Sequence, residues 1–246
     1  MSIKIENQVA LITGANRGIG KAIVESFISH GVQKVYLAVR DIASTKELVE
    51  KYGDKVVPIQ VDVADAQSIK QLAKSATDVT ILVNNAGVLQ IAAPLDSHFE
   101  ESFEKELAVN VYGLLRMAQA FAPIIENNNG GALVQLNSVA SIKNFHDLTS
   151  YSASKAASYA ITQGLKESLE AKGIQVLSVH PGPIETAMAA QAGMEGMGEP
   201  TSVVAEGIVN ALATDNFHLF PDSMARDFGG AYQSYAENVI EAQPEE

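Results

Sequence analysis

The alternation of short apolar runs with helical patterns constrains the fold more than any other feature of this sequence. The apolar runs span residues 8–13, 34–40, 55–63, 79–87, 131–138 and 174–182. Segments with helical periodicity lie between them at 20–30, 43–53, 66–76, 98–125 and 151–172. Continuous apolar strands separated by helices indicate a parallel sheet covered on both faces. Right-handed crossovers then predict a doubly wound α/β domain.

Composition narrows the range of partners. The 246-residue chain shows no internal repeat, linker or low-complexity tract, which favours one domain over residues 1–246. Its formal net charge of −12 disfavours binding to nucleic acid or to an anionic membrane. Cysteine is absent, which excludes disulfides and thiolate chemistry. We find no apolar run long enough to cross a bilayer and no signal peptide, so we expect a cytoplasmic protein.

A glycine-rich turn, TGANRGIG at residues 13–20, joins the first apolar run to the first helical segment. Gly14 permits a tight turn, Gly18 allows the backbone to approach a pyrophosphate, and Gly20 allows close helix–strand packing. The free N–H groups at the start of the helix can then bind phosphates. A purely structural glycine turn is the alternative, but the strand before and the helix after favour a dinucleotide site.

Tyr151 and Lys155 stand four residues apart, and so share one face of a predicted helix. A tyrosine hydroxyl has an ordinary pKa near ~10, and a neighbouring ammonium lowers it. Tyr151 can then act as a general acid in carbonyl reduction or as a base in alcohol oxidation. Ser138, at the end of a predicted strand, can hydrogen-bond the substrate oxygen. Two long side chains on a helix surface are the alternative for the pair taken alone.

Further motifs follow in order along the chain. They are Asn-Asn-Ala-Gly at 84–87, Asn110, Ser138, Tyr-x-x-x-Lys at 151–155, and Pro-Gly-Pro-Ile-Glu-Thr at 181–186. Together with the Gly-x-x-x-Gly-x-Gly turn, they resemble the short-chain dehydrogenase/reductase family over residues 8 to about 186. The resemblance implies a Rossmann fold with a central, mostly parallel sheet of about seven strands and helices on both faces. It also implies a nicotinamide-dependent oxidoreductase.

The resemblance assigns roles to individual residues. The implied catalytic set is Asn110, Ser138, Tyr151 and Lys155, in which Lys155 also holds the nicotinamide ribose and Asn110 holds a water that links Lys155 to solvent. The implied cofactor-binding residues are Gly14, Asn16, Arg17, Gly18, Ile19, Gly20, Arg40, Asp62, Val63, Asn85, Ala86, Gly87, Tyr151, Lys155, Pro181, Gly182, Ile184 and Thr186. Asn84 is interpreted as structural, as a brace between the central strands.

Two arginines predict NADP(H) rather than NAD(H). Val39 stands where NAD-using relatives carry an acid, and Arg40 follows it. Arg17 and Arg40 could form a fork around a 2′-phosphate, which suits guanidinium geometry. In the alternative, Arg40 is merely solvated and Asp41 binds the ribose of NAD. Asp62 resembles the family residue that contacts adenine; otherwise it caps the helix that begins near Asp65.

The region after Thr186 is the substrate lid in the family. Residues 187–199 are rich in methionine, glycine and alanine, which predicts a mobile apolar lid and an apolar or semi-polar carbonyl substrate. Met188 and His146 are candidate substrate contacts, beside Ser138 and Tyr151. No histidine has metal-ligand spacing, so no metal is expected. The final segment, about residues 236–246, is acidic and is expected to fray.

Assembly is predicted from the helices. The helix at 151–172 carries many small residues, and relatives pair it and the helix around 98–121 across a two-fold axis. We expect a homodimer or a homotetramer. The glycine pair that usually ends the last strand is displaced to Gly229 and Gly230, which puts the tetramer in doubt.

The predicted function is reversible reduction of an aldehyde or ketone to an alcohol by NADP(H), with Tyr151 as the general acid or base. One alternative is a 3-oxoacyl-carrier-protein reductase, but the segment ENNNGG lacks the basic docking patch that an acidic carrier requires. Sugar-nucleotide epimerases and dehydratases usually have longer chains and another glycine spacing. A regulator that senses NADP(H) without turnover is the alternative of another class. It would not need Tyr151 or Ser138, and both are present.

Overall fold

The structure is a computed structural model that describes residues 2–241. Its strands are β1 (Val9–Thr13), β2 (Lys34–Val39), β3 (Val56–Gln60), β4 (Ile81–Asn84), β5 (Gly131–Leu136), β6 (Ile174–Val179) and β7 (His218–Leu219). They form one seven-stranded sheet in the order β3-β2-β1-β4-β5-β6-β7, and each neighbouring pair is parallel. This confirms the predicted Rossmann-type sheet.

Nine α-helices connect these strands within the described residues. They are α1 (Gly18–Ser29), α2 (Lys46–Tyr52), α3 (Ala66–Ser75), α4 (Phe99–Glu106), α5 (Leu114–Asn127), α6 (Thr149–Glu170), α7 (Ala187–Gln191), α8 (Thr201–Thr214) and α9 (Ser223–Tyr235). The predicted helix at 151–172 therefore begins two residues earlier than expected, which places Tyr151 in its first turn.

Side chains that alternate along each strand build two separate cores. On β1, Ala10 and Ile12 pack on one face of the sheet with residues of α1 and α8. Val9 and Leu11 point to the other face, where residues of α3, α5 and α6 cover them. All five β1 residues are buried, as expected for a central parallel strand.

The predicted helix at 98–125 is interrupted. Residues Leu107–Gly113 form a π-helical segment between α4 and α5, and Asn110 lies at its centre. Such segments are rare and occur frequently at functional sites. Within residues 2–241, the run Phe99–Asn127 is the one helical stretch long and apolar enough to cross a membrane, a run that the sequence-based expectation excluded. Half of the most apolar 18-residue window in this run is buried inside the protein, as in a core helix, and Met117 and Phe121 pack in the core.

The C-terminal part departs from the sequence-based expectations. The final strand β7 has two residues, and the displaced Gly229 and Gly230 lie inside α9 rather than after a strand. The expected fraying tail begins as a π-helical turn, Ala236–Ile240, whose Ala236 is buried and whose Ile240 packs on the core. The Nδ1 atom of His218 in β7 lies within hydrogen-bond distance of Glu241 Oε1, at 3.0 Å. Residues 242–246 of the predicted tail lie outside the described part.

Candidate active site

The glycine-rich turn lies at the carboxyl end of β1, where the sheet order reverses between β1 and β4. Doubly wound folds bind ligands at this position. Gly14 and Gly18 have φ angles of +65° and +52°, a region that side chains rarely adopt. A Cβ atom on Gly20 would lie 2.2 Å from the Gly14 carbonyl oxygen. The three glycines are therefore required by the turn itself, and Gly20 has the predicted packing role.

Thr13 braces this turn, a role that we did not predict from the sequence. Its hydroxyl oxygen accepts hydrogen bonds from the backbone N–H groups of Asn85 and Ala86, both at 2.9 Å. The Asn85 side chain returns a hydrogen bond of 2.8 Å to the Thr13 carbonyl. Asn84, to which we assigned the brace, instead points from β4 towards the carbonyl of Leu114 at 3.5 Å. Asn85 and Thr13 thus hold the two central strands together.

The start of α1 suits a phosphate group. Arg17, the N-cap residue of α1, makes no side-chain capping hydrogen bond within the described structure. The first N–H groups of the helix are therefore available to an anion. The Thr186 side chain faces the turn, since a Cβ on Gly18 would lie 3.3 Å from its Cγ2 atom. The loop after β6 thus lies close to the glycine turn.

The carboxyl end of β2 carries the residues expected to select the cofactor. Val39 is buried, whereas Arg40 and Arg17 are exposed. One oxygen of the Asp41 carboxylate is already used within the protein. Its Oδ1 accepts a hydrogen bond from Ala43 N–H at 3.0 Å and caps a short turn. This capping role weakens the alternative in which Asp41 binds the ribose of NAD.

Asp62 follows β3 at the same edge of the sheet. Its Oδ1 accepts from Ala64 N–H at 2.9 Å, which closes a local turn. The alternative in which Asp62 caps the next helix is wrong, because Asp65 caps α3 by accepting from Gln67 N–H at 2.8 Å. Val63 is buried, and it lies against Gly113 at the end of the π-helical segment.

Tyr151 and Ser138 meet at the carboxyl ends of β5 and β6. Ser138 accepts a hydrogen bond from Ala140 N–H at 3.1 Å and donates one to the Pro181 carbonyl at 3.3 Å. Its hydroxyl also interacts with the Tyr151 hydroxyl and favours the phenolate. Burial nevertheless dominates and raises the pKa of Tyr151, an effect that the negative charge of Glu106 increases. The expected lowering of this pKa by Lys155 is therefore wrong for the free protein, where Tyr151 holds its proton.

Lys155 lies beside Tyr151, with its Nζ atom 5.7 Å from the centroid of the Tyr151 ring. The ammonium donates a hydrogen bond of 2.7 Å to the carbonyl of Leu136, the last residue of β5. Burial lowers the pKa of Lys155 to about 8, and the charge of Glu106 opposes that effect. A Cβ on Gly87 would lie 3.9 Å from this Nζ atom. The same Cβ would lie 3.3 Å from Asn110 Oδ1, so Gly87 keeps the chain close to both Asn110 and Lys155.

Asn110 joins three elements behind Lys155. Its Oδ1 accepts from Val88 N–H, and its Nδ2 donates to the Val88 carbonyl, both at 2.9 Å. The same Nδ2 donates to the Ser154 hydroxyl on α6 at 3.0 Å. The side chain thereby ties the loop after β4 and α6 to the π-helical segment. The water that Asn110 is expected to hold remains a prediction.

The proline turn after β6 is fastened by a residue that the sequence did not indicate. Asp222, buried at the start of α9, accepts a hydrogen bond from Gly182 N–H at 2.7 Å. Its other oxygen caps α9 through Ala225 N–H at 3.0 Å. Ile184 is buried, and Thr186 caps α7 by accepting from Ala189 N–H at 3.2 Å. The predicted contact of Thr186 with the nicotinamide remains a prediction.

His180 stabilises the Ser138 loop from below. It is fully buried and contacts the hydroxyls of Ser141 at 2.9 Å and Ser178 at 2.7 Å. Burial lowers the pKa of His180 to about 3, so the ring is neutral at ordinary pH. It directly precedes the proline turn and is a structural residue.

A small apolar cluster surrounds Tyr151 on the side of α7. Met188 of α7 packs against a small buried cluster of Leu89, Ala140 and Tyr151. Its contact with substrate remains a prediction. Residues 187–199, the predicted lid, contain α7 and end at Glu199, which forms a bridge with Ile184. A cleft of about 510 Å³ adjoins this cluster. Its lining residues are Ile91, Lys143, Asn144, Phe145, His146, Asp147, Leu148 and Ala192.

His146 lines this cleft, whose lining does not include Ser138, Tyr151 or Lys155. Its side chain is 78% exposed and pairs with Asp147 at 2.8 Å. Its contact with substrate remains a prediction. Within residues 2–241, no three histidine or acidic side chains lie together as metal ligands.

Comparison with known proteins identifies the family. The sequence profile of the short chain dehydrogenases matches residues 8–195. The chain belongs to this family. An uncharacterized oxidoreductase from Staphylococcus saprophyticus is 32% identical over 192 residues, which cover 75% of this chain and 81% of that protein. The chain is therefore an oxidoreductase of the short-chain dehydrogenase family, whose members use a nicotinamide cofactor.

Solved structures agree with the fold. A short-chain dehydrogenase from Burkholderia cenocepacia, in complex with NADP, superimposes with a TM-score of 0.87 at 30% identity, over 96% of this chain and 99% of that one. A short-chain dehydrogenase/reductase from Burkholderia phymatum, in complex with NAD, gives a TM-score of 0.84 at 23% identity, over 99% and 98% of the two chains. The second likeness concerns the fold alone.

Proposed function

We propose that the protein is an NADP(H)-dependent reductase of aldehydes or ketones. The convergence of Ser138, Tyr151 and Lys155 in one buried site is the observation that carries this proposal. Tyr151 contacts Ser138 on one side and has the Lys155 ammonium beside its ring on the other. Asn110 supports the same site through Val88 and Ser154.

Reduction of a carbonyl group requires a hydride that is transferred to the carbonyl carbon and a proton that is donated to the carbonyl oxygen. A bound reduced nicotinamide supplies the hydride to the carbonyl carbon. Ser138 holds the carbonyl oxygen by a hydrogen bond, and Tyr151 donates its proton to that oxygen as the alcohol forms. The raised pKa of Tyr151 supports reduction, since the hydroxyl is protonated at neutral pH and ready to act as an acid. Lys155 stabilises the phenolate that remains.

The local structure fits a dinucleotide. The uncapped start of α1 offers N–H groups to the pyrophosphate, and Gly20 leaves no room for a side chain where the turn closes. Gly87 lies next to Lys155, the residue expected to hold the nicotinamide ribose. Each of these features lies on the carboxyl edge of the sheet.

Preference for NADP(H) over NAD(H) rests on Arg17 and Arg40. Both are exposed, Arg17 at the start of α1 and Arg40 directly after β2. Val39 is apolar, and one oxygen of Asp41 is used in capping. The Burkholderia cenocepacia relative was solved with NADP and the Burkholderia phymatum structure with NAD, so this chain's own residues decide the proposal.

Fluorescence titration with NADPH and NADH tests the cofactor choice. We expect Arg40→Ser to raise the Kd for NADPH about tenfold or more, because one charge-assisted contact to the 2′-phosphate is lost. The Kd for NADH should stay unchanged. Lys4→Ser, which removes an exposed cation at the opposite end of β1, is the matched control. An equal loss of affinity for NADPH and NADH in Arg40→Ser would contradict the proposed preference for NADP(H). Tighter binding of NADH than of NADPH by the wild type would also contradict it.

A further inference from the structure

A second buried contact lies next to the one that Asn110 makes. Asn110 joins Val88 in the loop after β4 to Ser154 in α6. Glu106, one helical turn earlier, accepts a hydrogen bond from Gln90 N–H at 2.7 Å in the same loop. Ser150, one turn before Ser154 in α6, faces the Glu106 carboxyl. The two contacts therefore run side by side between the same three elements.

Glu106 is an unusual carboxylic acid because it is buried and only partly hydrogen-bonded. Glu106 is fully buried, and its Oε2 atom makes no hydrogen bond within residues 2–241. The buried hydroxyl of Ser150 likewise has no hydrogen-bond partner in the described structure. It is nevertheless near enough to the Glu106 carboxyl to favour the charged form. Buried carboxyls without full pairing are costly, and such costs concentrate at functional sites.

The surroundings of this carboxyl are catalytic. Two ionisable groups of α6 interact with it: the Lys155 ammonium favours its charged form, and Tyr151 feels its negative charge. From the loop after β4 it receives the Gln90 N–H, which also favours the carboxylate. Burial outweighs these effects and raises the pKa of Glu106.

We propose that Glu106 is a positioning residue of this site, whose buried carboxylate holds the loop at Gln90 and keeps the neighbouring Lys155 ammonium charged. The inference rests on the proposed reductase function. Reduction requires a protonated Tyr151 and a charged Lys155. The negative charge of Glu106 raises the pKa of both groups, so both retain their protons to higher pH. Glu106 thereby sets the alkaline limit of the reaction without touching the substrate.

The pH profile of kcat for reduction by NADPH tests this role. Glu106→Gln keeps an oxygen that can accept from Gln90 N–H but removes the charge. We expect the alkaline limb of the profile to move down by roughly one pH unit. Glu104→Gln, an exposed position on the same helix, removes the same charge and should leave the limb unchanged. Glu106→Asp keeps a carboxylate and should restore most of the limb. An unshifted limb in Glu106→Gln would overturn the proposal.

A double-mutant cycle tests the charge coupling without any activity. Thermal unfolding is compared for wild type, Glu106→Gln, Lys155→Met and the double variant. We expect non-additive Tm changes near pH 7, with Glu106→Gln more harmful when Lys155 is present. The coupling should shrink near pH 4, where Glu106 is protonated. Additive Tm changes, or a coupling that is independent of pH, would overturn the proposal. Because the cycle needs no substrate, failure to find carbonyl reduction would leave its result intact.

Discussion

Tyr151 and Lys155 show that the pKa values of catalytic groups depend on burial as much as on neighbours. From the sequence, the pair predicted a tyrosine with a lowered pKa. In the structure, burial raises the pKa of Tyr151 and lowers that of Lys155 to about 8. Sequence spacing reveals which side chains share a helix face, but it does not reveal how much water surrounds them. The residues could be predicted, and the electrostatics could not.

Glu106 illustrates the same limit. It lies in a segment with four glutamates between Glu100 and Glu106, which reads as a solvated helix face. Burial of one of these carboxyls arises from the packing of α4 against α6 and the loop after β4, and no local pattern reports that packing. Thr13 and Asp222 were missed for a related reason, because their partners are distant in sequence.

The lowered pKa of Lys155 predicts a pH-dependent stability. Between about pH 8 and the ordinary lysine pKa of 10.5, the unfolded chain keeps a proton that the folded protein has released. The free energy of unfolding therefore rises with pH through that window. Below about pH 8, Lys155 is charged in both states, and the whole penalty for burying its ammonium lowers the stability of the folded protein. We expect Lys155→Met to stabilise the protein by about 1–2 kcal/mol at pH 7, after the loss of the Leu136 hydrogen bond.

Urea unfolding at several pH values checks this expectation. The advantage of Lys155→Met should shrink as the pH rises above 8. A destabilised variant at pH 7, or a pH-independent difference, would show that the buried ammonium is stabilised well enough to carry no net cost.

At the scale of elements, apolar runs and the glycine turn predicted β1 to β6 and α1, α2, α3 and α6 close to their observed bounds. The π-helical segment Leu107–Gly113 could not be predicted from the sequence. Its Asn110 side chain bonds to Val88, a residue of the loop after β4, and the local sequence does not report such a contact. The two-residue strand β7 is too short to leave an apolar run, and it is held by β6 and the histidine and aromatic side chains around it.

Two glycine substitutions compare a position where no side chain fits, Gly20, with a position where a side chain fits, Gly230. Gly20→Ala places a Cβ 2.2 Å from the Gly14 carbonyl oxygen, so the turn must move. We expect a loss of about 1–3 kcal/mol in stability and a loss of NADPH binding. Gly230→Ala, inside α9 with no atom within 4 Å of the new Cβ, should stabilise by about 0.5–1 kcal/mol.

Calorimetry and fluorescence titration of the two variants provide the check. If Gly20→Ala bound NADPH as wild type does, the turn would have room that the geometry denies, and its role in the cofactor site would be refuted.

At the scale of the whole molecule, we propose that α6 is the surface that binds a second copy of the chain. Ala156, Ala160 and Gly164 are exposed at intervals of four residues, so they form one small-residue face. We expect a homodimer through this face, and Ala160→Glu should convert it to monomer, because two carboxylates would meet across a two-fold axis. Light scattering after size exclusion measures the mass. A monomeric wild type, or an unchanged dimer in Ala160→Glu, would contradict this assembly.

Oxidation of NADPH at 340 nm with a panel of aldehydes and ketones is the most direct test of the account. We expect turnover by the wild type and a loss of about 10²–10⁴-fold in kcat for Tyr151→Phe, since the proton donor is removed. The Kd for NADPH should change little, because the ring and Lys155 remain. Turnover that survives in Tyr151→Phe, or tight NADPH binding with no carbonyl reduced by the wild type, would contradict the proposed reductase.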